Sequence, residues 1–213
     1  MNARILKIVI IVNVVALVVL SVILYESFID MKDTSLSSNS KKGLQIRQEF
    51  TKNEIPNFEF TNQYGQIITQ NDFDNKIYVA DFFFTSCPTI CPIMAQNKIK
   101  IQNVFKNNSN VMILSHSIDV RSDSISRLRQ YADQIGAIKN KWHLVTGERD
   151  KIFGIAEDYY VTAKKSNIQE GSYVHDGSFI LIDENKRIQG IYDGTDITHT
   201  ENLIADIQYL LEL

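Results

Sequence analysis

The stretch Tyr78–Met94, YVADFFFTSCPTICPIM, constrains this chain more than any other. It opens as a nearly unbroken apolar run, the pattern of a strand buried on both faces. It then passes directly into the two cysteines of the molecule, Cys87 and Cys91, which are separated by three residues and followed by Pro88 and Pro92. Two cysteines within one short motif cannot brace a fold across distance, so the pair is either reactive, metal-binding or inert in the core. Inert core thiols rarely come paired at short spacing between prolines, which favours chemistry.

Proline biases the residue before it toward extended geometry, so two cysteines stacked one turn apart on a helix are not expected. Pro92 suits the first helical position, which predicts Cys91 as the helix-capping residue and places Cys87 in the loop before it. There the helix dipole and free backbone amides favour the thiolate, and such thiols ionise at pKa values of roughly 3.5–7.5. A thiolate with a neighbour in reach carries out thiol–disulfide exchange. Two thiolates also select soft ions, Cu(I) or zinc, over hard ones. The motif by itself leaves both open.

Ahead of this motif, Arg4 and Lys7 precede an apolar run from Ile8 to Tyr25, interrupted by Asn13 and Ser21. At about 1.5 Å per residue that run spans a bilayer core. It lacks the small-residue cleavage site of a signal peptide, so residues 1–29 are predicted to be an uncleaved anchor. The positive flank orients the amino terminus to the cytoplasm and the remainder of the chain to the outer face of the cell membrane. Residues 30–52, centred on SLSSNSKKG, read as a flexible tether. A net charge of -3 with no basic cluster excludes a nucleic-acid surface.

Residues 53–213 alternate strand and helix. A hairpin is predicted around Asn62–Gly65, then a strand at 76–85, a helix at 94–105 and a strand at 111–118. A helix follows at 122–135, with Ser122 as amino-terminal cap and Gly136 as stop. Next come a strand at 142–145, a helix at 148–160, a hairpin of strands at 178–183 and 188–192, and an amphipathic helix at 201–211. This order describes an α/β fold with a central mixed β-sheet flanked by helices behind a leading β-hairpin, and the thioredoxin-like arrangement fits it best. The reactive cysteines then sit where the first core strand meets its helix.

A third ligand would have to come from His116, His143, His175 or His199. By position His175 is the strongest candidate, in YVHDGSFILID after the polar loop 164–171 and just before a core strand. His116 and His143 read as core or edge histidines within strands. His199 lies in the polar ITHTEN stretch, expected ahead of the last helix.

The segments FFFTSCPTICP, SHSID at Ser115–Asp119, WHLVTG and YVHDGSFILID resemble, in this order, the Sco/SenC family of copper-binding assembly proteins. The resemblance covers residues 54–213. Asp119 matches an aspartate of the family's Asp-Pro stretch, but Val120 stands where the family commonly has proline, so the resemblance carries no expectation for the geometry of that loop. The resemblance implies a thioredoxin-like domain in which Cys87, Cys91 and His175 bind one copper ion, Cu(I) in the dithiol form and Cu(II) through the same set. It also implies maturation of the dinuclear copper centre of cytochrome c oxidase. Its partners would be the copper-centre subunit of that oxidase and an upstream copper donor or thiol reductant. The rival reading is a membrane-tethered thiol–disulfide oxidoreductase without a committed metal, although thioredoxin-type enzymes usually space their cysteines by two residues. A peroxidase and a thiol sensor are weaker rivals.

Overall fold

The computed structural model describes residues 19–22, 25, 54–165 and 173–213, with backbone alone at 163–165 and 173–175. The chain forms two compact units, Met1–Lys42 and Gly43–Leu213. In the first unit, residues 19–22 and 25 are helical. The rest of the expected span at 8–25, and the tether at 30–52, lie outside the described residues. Among the described residues no helix is long and apolar enough to cross a membrane.

The second unit is built on a seven-stranded sheet ordered β2-β1-β5-β4-β3-β8-β9. Its centre is β3 (Ile77–Phe83), β4 (Val111–Ser117) and β5 (Trp142–Thr146), which run parallel. The leading hairpin β1 (Glu59–Asn62) and β2 (Ile67–Thr69) joins antiparallel beside β5, and a 3-10 turn at Gln70–Phe73 follows it. On the other flank β8 (Ser178–Ile182) lies antiparallel to β3 and carries β9 (Ile188–Asp193). A two-residue side-chain period sends alternate residues of β3 to opposite faces. Tyr78, Ala80 and Phe82 join one apolar cluster, while Ile77, Val79 and Phe83 join the other. Both faces are therefore covered. Helices α1 (Ile90–Val104), α2 (Ile125–Ile135) and α4 (Ile197–Leu211) supply Ile101, Leu128, Leu203 and Ile207 to one side. Helix α3 (Arg149–Asp158) supplies Ile152 and Ile155 to the other.

The order of the expected elements is reproduced, but two boundaries move and one pair of strands is added. The cap of α2 is Ser124, whose hydroxyl accepts from the Arg127 amide, whereas the Ser122 amide is spent in a turn on Asp119 O. Gly136 ends α2 as expected, at φ 71, a left-handed conformation open to glycine without a side-chain clash. Helix α4 begins at Ile197, four residues earlier than expected, because the Asp196 carboxylate accepts from the Thr198 and His199 amides. A further short hairpin, β6 (Ala163–Lys165) with β7 (Tyr173–His175), was not expected.

Candidate metal centre

Strand β3 delivers the chain to Cys87 at its carboxyl end, and helix α1 begins immediately beyond. Helix α1 starts at Ile90 with Thr89 as its capping position, so Cys91 lies in the first turn and is not the cap that the prolines suggested. The reason is that amides throughout the first helical turn lack an intrahelical acceptor, so Pro92 costs no hydrogen bond there, and helical geometry at Cys91 prevails over its bias. Both cysteines are free thiols and both are buried.

The two thiols are electrostatically unequal. Burial pushes the Cys87 thiol up, but hydrogen bonds from the Cys91 side chain, the Cys91 and Thr89 backbone amides and the Thr89 hydroxyl outweigh it and leave Cys87 below its ordinary value. Burial also pushes Cys91, to about 12, reinforced by its hydrogen bond to Cys87 and opposed by the Phe84 backbone and the Lys98 charge. These are two sides of one interaction, in which a hydrogen bond from the Cys91 thiol to the Cys87 sulfur favours ionisation of Cys87 and disfavours that of Cys91. Cys87 is therefore the more readily ionised thiol of the pair.

Groups that no cysteine motif announces hold this loop in place. The Asp123 carboxylate accepts from the Thr85 amide at 3.0 Å, the Thr85 hydroxyl at 2.5 Å and the Ser117 hydroxyl at 2.6 Å. Arg127 Nε closes the cluster on Thr85 Oγ1 at 2.8 Å. Beneath α1, Lys98 Nζ lies 2.5 Å from Asp81 Oδ2 and 3.0 Å from Ser115 Oγ, with the indole Trp142 Nε1 donating to the same hydroxyl at 2.8 Å. Sequence reading missed both sets. Asp81 was visible as the one charge in an apolar strand, and Lys98 as its counterpart on the next helix.

The chain around His175 reaches the same end of the sheet. Because β8 runs antiparallel to β3, its amino-terminal end lies beside the carboxyl end of β3. His175 closes β7 opposite Ala163, and the Asp176 carboxylate next to it accepts from the Thr162 and Ser178 amides at 3.1 Å each. Gly177 follows at φ 73, and a Cβ there would come within 3.4 Å of Ile90 and 3.9 Å of the Met94 sulfur. The chain two residues beyond His175 thus packs on the turn of α1 that carries Cys91. A hydrogen-bond path reinforces this: Asn97 of α1 donates to Gly194 O at 2.8 Å, and the Gly194 amide donates to Gly177 O at 2.9 Å. The His175 side chain lies outside the described residues, and among those described no three His, Cys, Asp or Glu groups gather as a metal cluster.

The remaining histidines are committed elsewhere. His116 is fully buried in the opposite cluster, stacked 4.7 Å from Phe82, and burial lowers it to about 4. His143 meets the Asn62 amide through Nδ1 at 3.1 Å. His199 falls inside the first turn of α4 rather than ahead of it, and its Nδ1 accepts from the Asp193 amide.

The SCO1/SenC family profile matches residues 46–212. The chain belongs to the SCO1/SenC family. It is 28% identical over 168 residues to the SCO1 protein homolog of Bacillus subtilis (strain 168), covering 78% of this chain and 86% of the relative. The structure of a SCO1/SenC family lipoprotein from Bacillus anthracis superposes with a TM-score of 0.69 at 32% identity, covering 74% of this chain and 95% of that one. BsSco, described as a member of the Sco family of cytochrome c oxidase assembly proteins with a disulfide switch, gives 0.66 at 27% identity over 76% and 95%. At 22% identity, copper-bound ScoI of Arabidopsis thaliana shares the fold, with a TM-score of 0.61 over 72% and 98% of the two chains. The mixed sheet with helices on both faces is thus the thioredoxin-like fold of the Sco proteins.

Proposed function

We propose that this chain is a membrane-anchored copper chaperone and thiol reductant that helps mature the dinuclear copper centre of cytochrome c oxidase. Residues 1–29 serve as anchor and 30–52 as tether, holding domain 53–213 on the outer face of the cell membrane. Cys87, Cys91 and His175 bind one copper ion as cargo. The observation that carries this reading is the convergence of the two thiols, in the loop and first turn after β3, with the segment at Gly177 that packs on Ile90 and Met94. Family membership and the copper-bound neighbours support the choice of copper. So does ligand softness, since two thiolates with an imidazole suit Cu(I).

Loading the ion displaces two thiol protons, and the asymmetric pair makes the first displacement easy at Cys87. Three protein ligands leave an exchangeable position, which suits delivery to the copper-centre subunit better than storage. The same pair can reduce that subunit. The Cys87 thiolate attacks a recipient disulfide, one recipient thiolate leaves, and Cys91 displaces the second, giving a Cys87–Cys91 disulfide and a recipient dithiol. An upstream copper donor reloads the protein, and a thiol reductant restores the pair.

The opposed acidities of Cys87 and Cys91 also favour a second reading, a thiol–disulfide oxidoreductase with no metal. Replacing His175 by Ala separates the two. Copper affinity lost with disulfide exchange retained supports the copper role, and the reverse result supports the oxidoreductase.

A further inference from the structure

The end of the sheet opposite the cysteines carries a surface of its own. Strands β3, β4 and β5 run parallel, so their amino-terminal ends at Ile77, Val111 and Trp142 share one edge. The segments that enter them bring four lysines to that edge: Lys76, Lys106, Lys139 and Lys141. Lys106 and Lys139 are exposed, Lys76 is half-buried and Lys141 is buried behind them. Among the described residues none of the four has a carboxylate in ion-pair reach. Lys76 Nζ instead donates to Ser109 O at 3.3 Å and Lys141 Nζ to Asn108 O, so both amines are drawn onto one turn. Burial, and then the Lys76 charge, lowers Lys141 to about 8, as befits two cations with no anion between them. Two carboxylates of flanking elements, Asp74 and Asp133, are already matched by Lys186 and Arg129 at 3.1 Å each.

Two exposed aliphatic side chains stand in the same segments. Val104, at the end of α1 and two residues before Lys106, is 51% exposed, and Ile138, beside Lys139, is 40% exposed. Gln102 ties their segments together, accepting from the Ile138 amide at 2.8 Å and donating to Gly136 O at 3.0 Å. Lys139 is itself steadied over the Tyr64 ring at 5.3 Å. Aliphatic groups set among uncompensated lysines on a fixed platform complement an anionic bilayer surface, where apolar insertion and headgroup attraction add. The chain also enters the domain at this end. Glu54 bridges to Arg187 and the Ile55 amide donates to Lys186 O, in the turn after β8, whose last residue lies opposite Tyr78 at the start of β3. We propose that this edge is a docking surface for anionic phospholipid headgroups. Lys106 and Lys139 meet the phosphates, Lys76 and Lys141 add positive charge behind them, and Val104 and Ile138 enter the interface. Docked in this way, the domain turns its cysteine end away from the bilayer; that orientation rests on the anchor proposed above, whereas the lipid-binding surface does not.

Co-sedimentation of the unit Gly43–Leu213, which holds both apolar clusters entire, reads the surface without the anchor. The vesicles are phosphatidylcholine alone or mixed equally with phosphatidylglycerol. Binding is expected to the mixed vesicles only, falling as salt rises. Lys106→Gln and Lys139→Gln should each weaken it about fivefold, the attraction of one lysine to an anionic surface. Arg121→Gln removes the same charge beyond β4, at the cysteine end, and should leave binding unchanged. Val104→Ser/Ile138→Ser should weaken it as well, which a purely electrostatic contact would not show. Absent binding to the mixed vesicles, equal binding to phosphatidylcholine alone, unchanged binding in the lysine or serine variants, or an equal loss in Arg121→Gln overturns the proposal. Equally tight binding of polyglutamate overturns it too, and would mark a site for an acidic polypeptide. Circular dichroism of each variant separates lost binding from lost structure. The full-length chain in the same vesicles tests the anchor separately: its release by alkaline carbonate refutes the anchor and leaves the result for the unit standing.

Discussion

Replacing Lys98 by Met should destabilise the domain more than almost any other single change at a charged residue. The ammonium and the Asp81 carboxylate are 2.5 Å apart with side-chain exposures of 4% and 0%, so water can rescue neither. Lys98→Met leaves the Asp81 carboxylate with the Ser115 hydroxyl as its remaining donor in that cluster. Removing one partner of a buried pair typically costs about 3–5 kcal/mol, because the survivor stays desolvated. Removing both is far cheaper. In Asp81→Leu/Lys98→Met the charges vanish together while Trp142 Nε1 still donates to Ser115 Oγ, so the double variant should recover to within about 1–2 kcal/mol of the parent. Urea unfolding of a soluble fragment starting at Gly43, followed by Trp142 fluorescence, measures both variants and the coupling between the sites. An unchanged midpoint for Lys98→Met, or a double variant as unstable as the single, refutes the reasoning.

Three further outcomes follow from the geometry. His116 is lowered from 6.5 to about 4 by burial, so the unfolded chain binds the extra proton first. Stability should therefore be lost as pH falls from about 6.5 toward 4, by about 3 kcal/mol, and His116→Phe should flatten that part of the pH profile in urea titrations. Iodoacetamide at pH 8 should label Cys87 before Cys91, since Cys87 is lowered and Cys91 is raised to about 12. Peptide mass spectrometry showing equal labelling would contradict the assigned roles. At Gly194 a Cβ would come 2.7 Å from Gly177 O and from Phe179 Cε1. Gly194→Ala should cost roughly 1–3 kcal/mol in unfolding assays and weaken copper binding by displacing residue 177, whereas Gly154→Ala, which meets nothing, should do neither.

How far the sequence revealed this arrangement depended on whether a signal was local. Hydrophobic period and turn residues located the strands and helices, because β3, β4 and β8 are buried on both faces and read as continuous apolar runs. The start of α1 was misplaced because proline rules describe dipeptides, while a first helical turn tolerates proline anywhere along it. The start of α4 was missed because ITHT has weak apolar content and its signal is the single cap Asp196. The cysteine pair was legible from spacing and composition alone. Its supports were not: Asp123 reaches Thr85 across 38 residues through the parallel β3–β4 crossover, and Asn97 reaches Gly194 across 97 through the antiparallel β8–β9 flank, pairings that only the folded sheet brings together. His175 stood out by its place before β8, and the packing of Gly177 on α1 gives that placement a physical reason.

In the proposed copper site, the two thiols of the β3–α1 junction and His175 together hold one copper ion. Copper titration of the fully reduced protein under anaerobic conditions, with metal analysis after desalting, tests it most directly. One tightly held copper per chain is expected, lost in Cys87→Ser/Cys91→Ser, strongly weakened in His175→Ala, and lost again when Cys87 and Cys91 are oxidised to a disulfide. An unchanged stoichiometry in the double serine variant would contradict it.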